Sequence, residues 1–349
     1  MANYDIHAAK LVDLPLVRRL AEKGTILDNE LRCTREAADP QSMLLSSILP
    51  QRNLTTLIGR SGRQRIAGQF RVRNDERIAQ IVYIAPELDG HKRDTAWLHL
   101  IDTMAAEAGK RSVHMLTAEV DEDSPLFVTM RTAGFAVYAR QEIWKREASP
   151  LPIMTLAELS ESKEEDVNSI QALYGTIVPR LVQPVAMPPE DSIGYVYRQD
   201  RRLQGHIAVS VGKTGVYVMP LLHPDILYRD AKTILAGVLA KVGRVDRLPV
   251  YICVRRYQDW LEEALSELGF TSSQPQALMV RHIAAGVRQA QFAPLEHSLE
   301  VIPNVIRPPT SSSLKIDHPG EKIPSLSMIT LDGVVCGKWM PTTESQREH

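Results

Sequence analysis

The residue types best suited to moving a proton fall in one stretch: Glu119, Asp121, Glu122 and Asp123 close an apolar, strand-like run. A carboxylate held beside an amine can take its proton, although an acidic loop also serves simply as a solvated face. A second cluster is basic, with Arg60, Arg63, Arg65, Arg71 and Arg73 concentrated on two adjacent strand-like segments. Such charges can meet a phosphate or an acidic partner, or solvate a sheet edge. Serine nucleophile chemistry has no support. No G-x-S-x-G sequence occurs, and Gly59-Arg60-Ser61-Gly62-Arg63 reads as a hairpin turn. The 10 histidines never reach H-E-x-x-H or another close ligand spacing, so no metal site is expected. Cys33, Cys253 and Cys336 lie far apart and are odd in number, which excludes a disulfide framework and fits a reducing compartment.

These groups sit in a chain of 349 residues with 41 Lys+Arg against 42 Asp+Glu, a formal net charge of −1. Hydrophobic residues make up 44% and charged residues 24%, the balance of a globular protein that can build cores. The length suggests two domains with some chain left over. Without a basic excess, binding to nucleic acid by charge alone is not expected, and 5% aromatic content disfavours base-stacking platforms. No apolar run approaches the roughly 18–20 residues of a membrane helix, and the start MANYDIHAAK has no export-signal pattern. A cytoplasmic protein without nucleic-acid or membrane partners is the expectation.

Elements that position the candidates alternate between two periods. Tyr4 to Ala9 reads as a strand, and Asp13 as the N-cap of a helix with Leu16, Val17, Leu20 and Ala21 on one face. A polar, ambiguous stretch follows. Leu54–Arg60, the run from Ile66 and Ile78–Ala85 then read as an antiparallel meander with short turns. Trp97, Leu98, Ile101, Met104, Ala105 and Ala108 fall at helical spacing, with Gly109 as a stop. Val113–Val120 is a strand and Pro125–Ala133 a helix ending at Gly134-Phe135. Phe135–Tyr138 and Gln141–Lys145 form a closing strand pair.

The second half repeats this order. RIAGQFRV from Arg65 aligns without gaps to RLQGHIAV from Arg202, an offset of 137 that places Gly68 opposite Gly205. Gly134-Phe135 meets Gly269-Phe270, and QEIWKR from Gln141 meets QALMVRH from Gln276, both at an offset of 135. Three anchors in the same order favour an internal duplication with a seam at Ala148-Ser149-Pro150-Leu151-Pro152. The alternative is the rhythm that any two α/β domains share. From Pro303 the chain turns proline- and serine-rich, with Met328–Val335 a candidate hairpin, and the tail reads as extended.

The segment from Ile81 through the helix to Gly109, then Val113–Val120 and the helix ending at Gly134-Phe135, resembles the core of the GCN5-related N-acetyltransferase (GNAT) fold. The second half resembles it too, through the segment from His223, Val250–Arg256 and the helix ending at Gly269-Phe270. The resemblance implies an α/β (mixed α+β) fold of two GNAT-like domains, residues 1–147 and 152–285, with a C-terminal tail over 290–349. Each domain would hold a mixed, mostly antiparallel sheet flanked by helices.

In that family the strand before the junction splays from its neighbour and pairs with the pantetheine arm of acetyl-CoA. A loop patterned Q/R-x-x-G-x-G/A then wraps the diphosphate at a helix N-terminus. The resemblance therefore assigns Ile84, Ala85, Gly90, His91, Lys92, Arg93, Asp94 and Thr95 to the cosubstrate. The pattern is degenerate, however. Counting from Pro86, Asp89 fills the Q/R slot and Lys92 and Asp94 the glycine slots; in the second half Asp230 and Lys232 stand there. The family's tyrosine, four residues before Gly-Phe, is Met130 and Leu265 here. Tyr83 or Tyr138 can substitute for it as a proton donor, and Glu119 as base, though each also reads as a packing or solvated residue.

The leading expectation is thus an N-acyltransferase of two GNAT-like halves, the first of them expected to bind CoA, moving an acyl group, other than an aminoacyl group, directly from acetyl-CoA or another acyl-CoA to an amine. The acceptor would be a small molecule or a protein; no metal is expected, and a homodimer is left open. The alternative is a non-catalytic GNAT-like binding or scaffolding protein. A third arrangement has one half bind CoA while the other shapes the acceptor cleft.

Overall fold

The computed structural model describes residues 5–21, 23–34, 53–61, 64–73, 77–88, 95–189, 192–226 and 228–283. All fall within one compact unit, Met1–Arg288. The tail and its candidate hairpin lie outside the described residues. In the first half the chain runs β1 (Asp5–Ala8), α1 (Leu14–Ala21), β2 (Thr25–Ile26), α2 (Asn29–Thr34), β3 (Leu54–Ser61), β4 (Gln64–Val72) and β5 (Ile78–Ala85). It continues through α3 (Thr95–Gly109), β6 (Met115–Asp121), α4 (Pro125–Thr132) and β7 (Ala136–Arg146). The second half opens with β8 (Ser160–Glu161), α5 (Val167–Ile177), a 3-10 turn at Gln183–Val185, β9 (Ile193–Gln199), β10 (Arg202–Val211) and β11 (Val216–Leu222). It closes with α6 (Tyr228–Val242), β12 (Val250–Arg255), a 3-10 turn at Arg256–Leu261, α7 (Glu262–Glu267), β13 (Thr271–Ser272) and β14 (Gln276–His282). No described helix is long and apolar enough to cross a membrane.

The sequence anchors occupy equivalent places. Gly68 of β4 pairs with Ile84, and Gly205 of β10 with Leu222, each in the third strand of its meander. Gly134 and Gly269 end α4 and α7 with φ of 86° and 81°, a left-handed conformation that glycine adopts without a Cβ clash. The amides of Phe135 and Phe270 then reach back to Met130 and Leu265 carbonyls, both at 3.0 Å, and close the two helices identically.

The strand pairing departs from two self-contained sheets. One 14-stranded sheet runs β1-β3-β4-β5-β6-β14-β7-β12-β11-β10-β9-β8, with β2 added beside β5 and β13 beside β7. The two closing strands expected over Phe135–Lys145 are one long strand. Its first part pairs with β14, and Gln141–Arg146 pair with β12. Reciprocally β14, from the end of the second half, lies between β6 and β7. Each half thus completes the other, and Gln141 and Gln276 face each other at the crossover.

Alternation along the strands sends side chains to two covered faces. On one, α3 and α4 bury Trp97, Leu100, Met104 and Met130 against Phe70, Ile81 and Leu116, while α6 and α7 cover Ile207, Val218 and Ile252. On the other, α1 and α2 cover Ile58 and Val82, and α5 with the turn at Gln183–Val185 covers Ile78, Leu221 and Leu278. Burial at about 25 cal/mol per Å2 of apolar surface makes both layers the main source of stability. The second face carries the polar residues described next.

Candidate functional site

In each half a parallel strand pair opens into a split. β5 and β6 pair from Ile78↔Met115 to Gln80↔Thr117 and no further; β11 and β12 pair from Val216↔Val250 to Val218↔Ile252 and then diverge. The edges beyond are where the resemblance expects a pantetheine arm. The two splits differ in what fills them.

The first is filled by the chain itself. Thr25 and Ile26 pair with Ile84 and Tyr83. Leu27 N then donates to the Val82 carbonyl at 2.8 Å, and Glu119 N donates to the Leu27 carbonyl at 3.1 Å. Val82 is the extra residue of a bulge opposite Gln69 and Phe70, so its carbonyl is free of β4 and is taken by Leu27. Asp28 caps the short α2 behind the wedge, accepting from Leu31 N at 3.1 Å, and is bound by Arg71 at 3.1 Å. The open gap expected beside Ile84 and Ala85 is therefore absent: Ile84 is bonded to Thr25 and Ala85 pairs with Ala67. The described residues 23–34 of the ambiguous stretch form this wedge. A two-residue strand and a six-residue helix are too short for periodicity to reveal, and only Asp28 before Asn29-Glu30-Leu31 hints at a cap.

The second split borders a solvent-open cleft of about 340 Å3, lined by Tyr174, His206, Met219 to Leu221, Cys253, Arg255, Tyr257 and Gln258 among others. Gln258 Nε2 donates to the Leu222 carbonyl at 2.7 Å, while its Oε1 is buried without a donor. Such an orphaned acceptor costs about 1–3 kcal/mol unless something supplies an N–H. Arg255 Nη1 donates to the Ala186 carbonyl at 3.0 Å and to Tyr257 Oη at 3.3 Å. Burial raises the Cys253 thiol to about 11, so it rests as a thiol.

His206 is a third consequence of burial. Desolvation lowers its pKa from 6.5 to about 4, against the opposing pull of Asp166, and it lines the cleft as neutral imidazole. Because the folded form refuses a proton that the unfolded chain accepts below 6.5, stability is complete above that pH and declines as pH falls toward 4. The loss is about 3 kcal/mol at most. Urea midpoints at pH 7.5 and 4.5 should therefore differ less for His206→Gln than for the wild type; equal differences would remove His206 from the acid response.

A second cleft of about 460 Å3 adjoins the first, sharing Met219 and Arg255, and takes Asp28, Glu30, Arg71, Arg73, Gln80 and Glu119 from the first half. Glu119 is held from two sides: Asn29 N donates to Oε2 at 2.7 Å and Gln141 Nε2 to Oε1 at 2.9 Å. Its pKa is raised above the usual carboxylate range, first by burial and then by the neighbouring Asp28 charge. Gln141 also accepts from Arg255 Nε at 3.5 Å, so one network joins the base candidate to the second split.

The other sequence candidates are placed apart. Tyr83 packs in the α1–α2 layer, its hydroxyl buried without a partner and its pKa raised by burial. Tyr138 contacts His282 and lines neither cleft. Asp121 accepts from Gln276 at 2.6 Å and Glu122 from Arg140 at 2.8 Å, structural pairs both. Gly90, His91, Lys92, Arg93 and Asp94 lie outside the described residues, and Thr95 begins α3. Of the arginine cluster, Arg71 and Arg73 turn into the second cleft rather than onto a solvated edge. Sequence reasoning passed over Arg255, Tyr257 and Gln258; only Arg255 lies in a segment, Val250–Arg256, that the resemblance had singled out.

By sequence, no family model and no curated protein matches the chain. Solved structures do. A GCN5-related N-acetyltransferase from Sphaerobacter thermophilus is similar at a TM-score of 0.54 and 11% identity, over 80% of this chain and 96% of that one. A tandem GNAT protein from the clavulanic acid biosynthesis pathway is similar at 0.50 and 14% identity, over 80% of this chain and 99% of that one. Two meanders, two split parallel pairs, matching helix ends and these likenesses agree: the chain has the GCN5-related N-acetyltransferase fold in tandem.

Proposed function

We propose that the protein is an acyl-CoA-dependent N-acyltransferase whose second half holds the pantetheine arm and whose first half supplies the acceptor side. In this reading residues 1–147 and 152–285 are duplicated modules that have diverged into these roles. The observation that carries it is the difference between the splits: β5 is sealed by residues 25–27, whereas β11 and β12 border a cleft in which Gln258 Oε1 lacks a donor. An amide N–H of the pantetheine arm answers that need. Ile84 then serves the wedge, and Ala85 its β4 partner Ala67, instead of the cosubstrate.

Acyl-CoA supplies the activated acyl group, its thioester C–S bond breaking as the acceptor N–C bond forms. Glu119 takes a proton from the acceptor ammonium, leaving the lone pair free to attack. Asn29 and Gln141 hold the carboxylate in place as positioning residues. Tyr257 gives its hydroxyl proton to the departing thiolate and regains one from the nitrogen of the new amide, with Arg255 alongside to offset the charge. Glu119 returns its proton to solvent, so the cycle yields amide, free thiol and one proton.

The diphosphate end looks different. Asp230 stands in the first turn of α6, where negative charge opposes an anion, and Lys232 is tied to Glu267 at 2.6 Å. Recognition therefore rests on the pantetheine arm, and S-acetylpantetheine should replace acetyl-CoA with a kcat/KM within about tenfold, roughly 1.4 kcal/mol. Thiol release over an amine panel checks this. A loss of a thousandfold would return the diphosphate to the centre of binding. The same Asp230 and Lys232–Glu267 pair favour a second reading, a binding protein of this fold without transfer, which acyl transfer to any amine in the assay would overturn.

A further inference from the structure

The chemistry of the cleft between the halves points to a class of acceptor. Three carboxylates, Asp28, Glu30 and Glu119, and three guanidinium groups, Arg71, Arg73 and Arg255, line it together. A polyamine or a lysine-rich peptide would need an excess of acid there, and none exists. The charges are also laid out in order. Arg71 pairs across the sheet with Gln80, Gln80 with Thr117, and Glu119 stands two residues further on the same face. Strand spacing and rise put the Arg71 and Glu119 Cα atoms about 12 Å apart, with both side chains on one side of the sheet. Asp28 spans the interval, bonded to Arg71 and followed directly by the Asn29 amide that holds Glu119.

The arginine end is partly unanswered. Arg71 Nη2 is committed to Asp28 at 3.1 Å and faces Glu30 at 3.9 Å, but its Nε is buried with no acceptor. Arg73 is held next to it by the Pro188 carbonyl, and Arg255 approaches from the second half. An orphaned guanidinium N–H lining this cleft calls for an anion, and a carboxylate matches guanidinium geometry best. The glutamate end suits an ammonium.

We infer that the acceptor is a small zwitterion, an amino acid or a similar amine bearing a carboxylate, bound with its amine toward Glu119 and its carboxylate toward Arg71 and Arg73. This rests on the transferase reading above. It predicts a preference that belongs to the acceptor alone, since neither arginine lines the cleft of the second split.

The test uses the full chain, acetyl-CoA and matched amines: glycine against glycine methyl ester and methylamine, and L-lysine against its methyl ester and cadaverine. The expected result is turnover of a free amino acid, with kcat/KM falling about 10- to 100-fold when the carboxylate is esterified or removed, the range for a lost charge-assisted hydrogen bond. Arg73→Gln should narrow that preference to within about threefold by raising KM for the amino acid. Arg73→Lys, which keeps the charge, should restore most of it, and neither variant should change acetyl-CoA affinity in a calorimetric titration. Turnover of methylamine or cadaverine equal to or above that of the amino acids overturns the inference while leaving the transferase reading intact. Absence of acetyl-CoA binding overturns that reading instead.

Discussion

Glu119→Gln should lower kcat/KM for acyl transfer by about 10²- to 10⁴-fold, the contribution of a positioned general base, while acetyl-CoA affinity stays at the wild-type value. The substitution is close to isosteric. Its carbonyl oxygen can keep the Asn29 bond, and Gln141 can turn its own carbonyl toward the new amide at the expense only of the long 3.5 Å bond from Arg255, so the strand pairing at the junction of the halves survives. What disappears is the ability to take a proton. In the wild type that ability needs the ionised carboxylate, and burial together with Asp28 moves its titration upward. The acid limb of the rate profile should therefore lie above the ordinary carboxylate value of 4.5. The same shift has a cost: a carboxyl whose folded pKa is raised gives stability at low pH that is lost as pH rises through that pKa. Glu119→Gln should be the more stable protein on the alkaline side. Unchanged kcat/KM would remove Glu119 from the reaction.

Gln258→Leu should weaken acetyl-CoA about tenfold without altering the pH dependence of the residual activity. The amide oxygen is the one side-chain acceptor in the described lining of the second split that is buried and has no donor. Leucine fills similar volume and offers nothing to the pantetheine N–H, and one hydrogen bond is worth about 1.4 kcal/mol, a factor of ten. Loss of the Gln258–Leu222 bond leaves that carbonyl unmet as well, so a small fall in melting temperature should accompany the change. The two effects separate cleanly from Glu119→Gln, which alters rate and not donor affinity.

How much of this was readable beforehand follows from the range of each interaction. The strand Ile78–Ala85 was given to the residue by its apolar run and the proline after it. α3 was given by helical spacing from Trp97 to Ala108, and the two Gly-Phe helix ends by a glycine that must take positive φ. Those are local signals. The exchange of β14 and Gln141–Arg146 between the halves was not readable, because a strand's own pattern states which face it buries and not which neighbour it joins. Glu119 was found as a carboxylate at a strand end, but its partners Asn29 and Gln141, and Arg255 bonded to Gln141 behind it, come from distant segments. Gln258 had no sequence signature at all. It matters through the opening of β11 from β12, a property of pairing and not of composition. The near balance of charge in the chain reappears in the cleft, where three acids face three arginines.

The most direct test of the central claim is a calorimetric titration of acetyl-CoA into the full-length protein and into Gln258→Leu. One site per chain, weakened about tenfold by the substitution, is the predicted result. No heat at millimolar ligand, two sites per chain, or an affinity indifferent to Gln258 would contradict the assignment of the second split as the acyl-CoA site.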